Sequence, residues 1–160
     1  MNKKEIITVQ FNSNYKRAGD TNGDANYYID WSAILKDNQP YLLNYSFFAK
    51  RNFFVTPTKI ASLYINIYGE NYIASGISGN RANPTNLLCS LDVINLGANT
   101  GNFFVNSNAK NQIFLNSRPS NNIVNIEVLN NDAIPIIWSE AGSPITQISD
   151  YILTLTFSEL

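Results

Sequence analysis

The chain holds 160 residues, 44% of them apolar and only 14% charged, against roughly 25% charged in ordinary globular domains. That length and apolar content exclude a disordered chain and fit one domain, residues 1–160, with one core. The absence of His excludes a histidine triad or proton shuttle, the single Cys89 excludes an internal disulfide and a thiolate zinc site, and a net charge of −1 excludes a global positive field for nucleic acid.

Period-2 alternation dominates from the start. Ile7, Val9 and Phe11 fall on one side of the segment Glu5 to Asn12, with Thr8 and Gln10 on the other, as in a half-buried strand. Ser13 to Asn26 is rich in Gly, Asp and Asn and predicts a long loop with a tight turn at Asn22-Gly23. Tyr27 to Leu35 reads as a short strand running into a turn, with Ser32 as an alternative cap for one helical turn.

Beyond Pro40 the alternation is cleaner. Tyr41, Leu43, Tyr45 and Phe47 oppose Leu42, Asn44, Ser46 and Phe48, and Ala61, Leu63, Ile65 and Ile67 oppose Ser62, Tyr64, Asn66 and Tyr68. A loop over 69–84 follows, then a strand over 86–96 with Leu87, Cys89, Leu91 and Val93 facing away from Leu88, Ser90, Asp92 and Ile94. Shorter strands are predicted at 103–106, 112–116 and 123–129, an apolar segment at 134–138, and a closing strand over 149–158 with Tyr151, Leu153, Leu155 and Phe157 on one face. The six Pro mostly flank these segments, as strand pairing requires. The tetrapeptide Asn-Phe-Phe-Val recurs at 52–55 and 102–105 with nothing similar around it, and is read as chance.

Eight to ten short strands without a helical stripe predict an all-β fold, an antiparallel β-sandwich or barrel. Tight turns alternating with connections too long for hairpins suit Greek-key crossings, and two such keys make a single jelly roll. The strong first and last strands are expected to pair. The longest apolar runs fall far short of the roughly 20 residues that span a bilayer, so no membrane insertion is expected. Lys3 and Lys4 are followed by Glu5, Thr8, Gln10 and Asn12, which break up any apolar signal core, so no secretory signal is expected.

Catalytic chemistry has little support. Nothing in the spacing of the acids singles out a carboxylate pair of the kind glycoside hydrolysis needs, and Asp92 and Glu127 alternate outward with Ser90 and Asn125. Cys89 lies on an apolar strand face and reads as a small core residue. Asp20, Asn22, Asp24 and Asn26, spaced by two, suit oxygen ligation of calcium, but the EF-hand pattern fails because Gly23 falls at the wrong position and Trp31 stands where the closing Glu belongs. The alternative is a polar loop held by Asx turns. The basic residues are scattered, with no aligned cationic groove for nucleic acid. No cofactor is expected. The 25 Asn and few Lys make the surface polar by amides and hydroxyls rather than by charge. Most aromatics occupy inward strand positions, whereas Trp31 and Trp138 sit beside loops, where exposed aromatics suit a sugar-stacking platform or a protein interface.

The order of certain residues carries a resemblance. An opening strand ends in Asn12-Ser13, followed by Arg17 and Gly19, then Tyr28-x-Asp30-Trp31-Ser32, a strand through Ser46-Phe47-Phe48, then Arg118-Pro119 and the terminal Tyr151-x-Leu153-x-Leu155-x-Phe157. This pattern resembles the small single-jelly-roll proteins of large eukaryotic DNA viruses and their relatives, of the minor-capsid or capsid-associated type. The resemblance implies a non-enzymatic, penton-like or cementing subunit in the virion, made in the host cell. It also implies self-association as a trimer or pentamer and docking on a major capsid protein. Interface or ligand contacts are then expected at Arg17, Tyr28, Trp31, Arg118 and Trp138. A carbohydrate-binding, lectin-like sandwich, serving attachment to a host glycan, is the alternative from another class, and a carboxylate-pair hydrolase is the third.

Overall fold

Side chains that alternate between apolar and polar can bury one face only by pairing strands and covering that face with a second layer. The computed structural model describes residues 4–51, 60–67, 87–95, 102–106, 112–129 and 148–160. Among the described residues, nine strands account for nearly all regular structure: β1 (Ile6–Asn12), β2 (Asp24–Tyr28), β3 (Tyr41–Arg51), β4 (Ile60–Ile65), β5 (Leu87–Asn95), β6 (Asn102–Asn106), β7 (Gln112–Leu115), β8 (Ile123–Leu129) and β9 (Ile148–Glu159). One 3-10 turn (Ser13–Tyr15) and one helical turn, α1 (Trp31–Ile34), interrupt them. The loop at 69–84 and the apolar segment at 134–138, with Trp138, lie outside the described residues.

Every strand pairing is antiparallel, along the path β1-β9-β3-β6-β5-β4-β8-β2, with β7 sharing the edge of β3 beside β6. The path folds back on itself as two four-strand sheets, β1-β9-β3-β6 and β5-β4-β8-β2. Its two ends meet: the rings of Phe11 on β1 and Tyr27 on β2 lie 5.2 Å apart, edge to face. Tyr45 of β3 donates its hydroxyl proton to the Leu88 carbonyl of β5 at 2.9 Å. The first and last strands pair in continuous register from Ile6–Ser158 to Asn12–Ile152.

The core has the predicted faces. Tyr41, Leu43 and Phe47 of β3, Leu63 and Ile65 of β4, and Tyr151, Leu153, Leu155 and Phe157 of β9 are all buried. Three expectations change. Tyr64, expected on the face opposite Leu63 and Ile65, is buried as they are, at the same point where the β4–β5 register shifts. Leu88 was assigned to the face opposite Cys89, yet both are buried; the register steps from Leu63–Cys89 to Tyr64–Leu87, a bulge that leaves Leu88 as the extra residue and breaks the alternation. The composition through Asn26 predicts a loop, but Asp24 to Tyr28 is a strand, in which Ala25 and Tyr27 point inward while Asp24, Asn26 and Tyr28 point out.

Tyr27 and Tyr151 join their hydroxyls across the core at 2.7 Å. Burial pushes the Tyr27 phenol up to about 12, and burial pushes Tyr151 up as well, so both stay neutral and the pair works as a hydrogen bond. Tyr27→Phe strands the fully buried Tyr151 hydroxyl and is expected to cost about 1–3 kcal/mol in urea denaturation. Tyr27→Phe combined with Tyr151→Phe removes both polar groups and is expected to recover most of that loss. Additive losses would show that the two hydroxyls do not depend on each other.

Candidate functional site

The edge of β2 is built by the segment before it. Gly19, at φ +94°, completes a turn in which the Asp20 N–H donates to the Arg17 carbonyl at 3.1 Å, a conformation suited to glycine. The turn aims the Asp20 carboxylate at β2, where it accepts from the Asn26 backbone N–H (2.7 Å) and side-chain amide (3.0 Å). The Asn26 carbonyl in turn accepts from the Arg17 N–H at 2.9 Å. Thr21 treats Asp24 the same way: its hydroxyl accepts from the Asp24 N–H, and its own N–H donates to the Asp24 carbonyl. The Asp20 carboxylate is thus engaged by Asn26 and the Asp24 carboxylate by the Asn125 amide, and among the described residues no three Asp, Glu or Cys side chains cluster.

This segment and the outer face of β2–β8 enclose a shallow cleft of about 360 Å³ lined by Tyr15, Arg17, Asn26, Tyr27, Tyr28 and Ile123. Tyr15 and Tyr28 are 82% and 77% exposed and form its walls, and Ile123 stands opposite Tyr28 in the β2–β8 register. Arg17 is exposed and forms no ion pair with a described residue. Two aromatic faces and an uncommitted guanidinium suit a planar or ring-shaped polar ligand. Beside the cleft, the Asn125 amide donates to Asp24 (2.9 Å) and to the Asn26 side-chain oxygen (3.2 Å). The Asn125 N–H donates to the Asn66 side-chain oxygen at 2.7 Å. Asp24 and Glu127 face each other across β2–β8, on an open and half-exposed face.

The structure brings together two of the expected contact residues, Arg17 and Tyr28. Trp31 is a correction: it is 1% exposed, stacked edge-on against Phe157, with its indole N–H donating to the Asn121 carbonyl at 3.0 Å. Its burial follows from the cap. Asp30, not Ser32, caps α1 by accepting from the Ser32 N–H, and this cap turns the tryptophan inward. The hydroxyl and backbone bonds from Ser32 also hold the Asp30 carboxyl below its usual value. Arg118 is largely covered; its guanidinium donates to the Leu35 carbonyl at 3.5 Å and lies 3.7 Å from Asp37, tying down the exit from α1. Tyr15 and Ile123 line the cleft without having been expected there. The signal for Ile123 was present, because it shares the outward phase of Asn125 and Glu127.

A second surface has a different character. The outer face of β1-β9-β3-β7 runs in cross-strand rows: Thr8–Thr156–Asn44–Gln112, Gln10–Thr154–Ser46, Ile6–Ser158–Leu42–Phe114 and Asn12–Ile152–Phe48. None of these side chains is charged, and Ile6, Phe48, Phe114 and Ile152 are exposed large apolar groups at its margins. Charge lies at the two ends of the sheet: Lys36 bridges Glu5 (3.2 Å) and Glu159 at one, and Lys50 stands opposite Asp150 in the β3–β9 register at the other.

Cys89 is buried, and desolvation pushes its thiol up to about 12, which suppresses the thiolate that nucleophilic attack requires. Alkylation by iodoacetamide is expected to be negligible in the native protein and complete after unfolding; native-state labelling at the rate of a free thiol would contradict this placement. No protein-family model matches the chain, and a search of curated proteins finds no match.

Proposed function

We propose that this chain is a non-enzymatic subunit of a viral shell. It is a single jelly roll that associates with itself as a trimer or pentamer and docks on a major capsid protein in a minor-capsid, penton-like or cementing role. The observation that carries this reading is the set of four uncharged cross-strand rows on the outer face of β1-β9-β3-β7. Lys and Glu lose much side-chain entropy when immobilised and are depleted from interface cores, so a flat face of hydroxyls and amides with apolar margins suits a surface that other subunits cover. Strand order supports the jelly-roll part. The pairs β4–β5, β3–β6, β2–β8 and β1–β9 nest within one another, as in a long hairpin rolled into two layers.

Light scattering of the purified protein, with mass spectrometry of purified virions, tests the proposal. The expected outcome is the mass of a closed ring of three or five copies and the presence of the chain in particles. A monomer absent from every particle overturns it.

The cleft favours a second reading, a saccharide site used in attachment. Exposed Tyr15 and Tyr28 offer stacking faces, and Arg17 suits a hydroxyl-rich or carboxylate-bearing sugar. On a glycan array, selective binding that is lost in Tyr28→Ala and Arg17→Ala is expected under this reading, and uniform background across all glycans removes it.

A further inference from the structure

The two edge strands at the ends of the hydrogen-bonded path are treated in opposite ways. On β2, the outward backbone groups of Asp24 and Asn26 are all occupied, by Thr21, Asp20 and Arg17. On β1 they are not. The Glu159 N–H donates to the Glu5 carbonyl, the Tyr151 N–H donates to the Ser13 hydroxyl, and the Leu160 N–H donates away from β1 to Pro40. These bonds fix the phase of the ladder: Ile7, Val9 and Phe11 bond to β9, while the N–H and C=O groups of Ile6, Thr8 and Gln10 point outward. Among the described residues nothing bonds to those groups.

Natural sheets blunt an exposed edge with charge, proline, a bulge or a covering loop. β1, Ile-Ile-Thr-Val-Gln-Phe-Asn, has no charge and no proline, and its pairing with β9 runs without a bulge. Its inward residues Ile7 and Val9 pack on the core but are only half-buried, because no strand flanks them on the open side.

We propose that the outer edge of β1 pairs antiparallel with β1 of a second copy of this chain, about a two-fold axis through Val9. Self-complementarity singles out that occupant. Pairing centred on Val9 sets Thr8 against Gln10 and Ile6 against Asn12, so outward-pointing backbone groups meet one another in hydrogen-bonding phase. On the inner side Val9 meets Val9 and Ile7 meets Phe11, which covers the half-buried residues. No like charges are brought together, the condition that usually forbids a strand from pairing with its own copy. The contact joins two sheets into one continuous sheet and carries the uncharged rows across the axis. It does not depend on the viral reading, and it adds a two-fold contact to any ring the chain forms.

Thr8 and Gln10 are exposed, so charging them tests the edge without touching the core. Sedimentation is compared for the wild type, for Thr8→Lys with Gln10→Lys, and for Thr8→Glu with Gln10→Glu. The wild type is expected to carry the two-fold contact, each charged variant to lose it, and an equimolar mixture of the two to regain it, because Lys then faces Glu on both sides of the axis. A monomeric wild type overturns the proposal. So does wild-type assembly that persists undiminished in both charged variants, an outcome that leaves a ring of three or five copies standing. Val9→Cys reads the geometry without added charge. In the non-hydrogen-bonded pair at the axis its Cβ atoms lie within disulfide reach. Mild oxidation is expected to cross-link two chains at position 9, and absence of that cross-link overturns the register.

Discussion

The structure depends on β9. Its twelve residues pair on one side with β1 and on the other with β3, so strands far apart in the sequence are held in one ladder. Its inward residues Tyr151, Leu153, Leu155 and Phe157 are all buried, and Tyr151 and Phe157 meet Phe47, Trp31, Tyr41 and Tyr27 from three other segments. Burial of side chains this size contributes roughly 1.5–3 kcal/mol each. That gain is realised only when the final strand reaches its place between the first and third. Such long-range closure makes folding slow relative to a fold built from local contacts.

The ladder also explains which parts of the fold were legible in the sequence. Where a strand is covered on one side and wet on the other, alternation is forced, and β1, β9 and most of β3 could be read residue by residue. It fails where a distant partner decides the outcome. Trp31 sits among polar loop residues, and its burial depends on an indole N–H reaching Asn121, ninety positions away in the chain. β2 was hidden because its outward residues are Asp and Asn, which favour turns. They are tolerated in this edge strand because Thr21, Asp20 and Asn125 satisfy them. The bulge at Leu88 leaves no local mark. The cleft was half legible: Arg17 and Tyr28 stood out as residues, but what unites them with Tyr15 is the turn at Gly19, a matter of backbone conformation.

The excess of Asn has a structural use. On the outer face of β2–β8, Asn26, Asn125 and Asn66 bond to one another and to the backbone and donate to the Asp20 and Asp24 carboxylates, so amides link most of the polar groups of that surface. An amide both donates and accepts, and a row of amides can therefore satisfy itself in a way a row of Lys or Glu cannot. On the β1-β9-β3-β7 face, Thr, Ser, Asn and Gln fill the same role. The few described ion pairs lie where chain connections must be tied, at Lys36 and Arg118, rather than across these faces.

A protein with so little charge gives up the mutual repulsion that keeps copies apart, since near-zero net charge favours association. An indiscriminate surface of that kind would precipitate. Among the described residues the polar groups are ordered: one edge is sealed by the turn at 17–21, amides link the β2–β8 face, and open strand groups lie along the β1 edge beside the uncharged rows. Backbone groups on an edge are directional and impose a register, whereas a neutral face is permissive and accepts contact over an area. In the proposed pairing the edge would set one geometry, and the neutral face beside it would tolerate contact around that geometry.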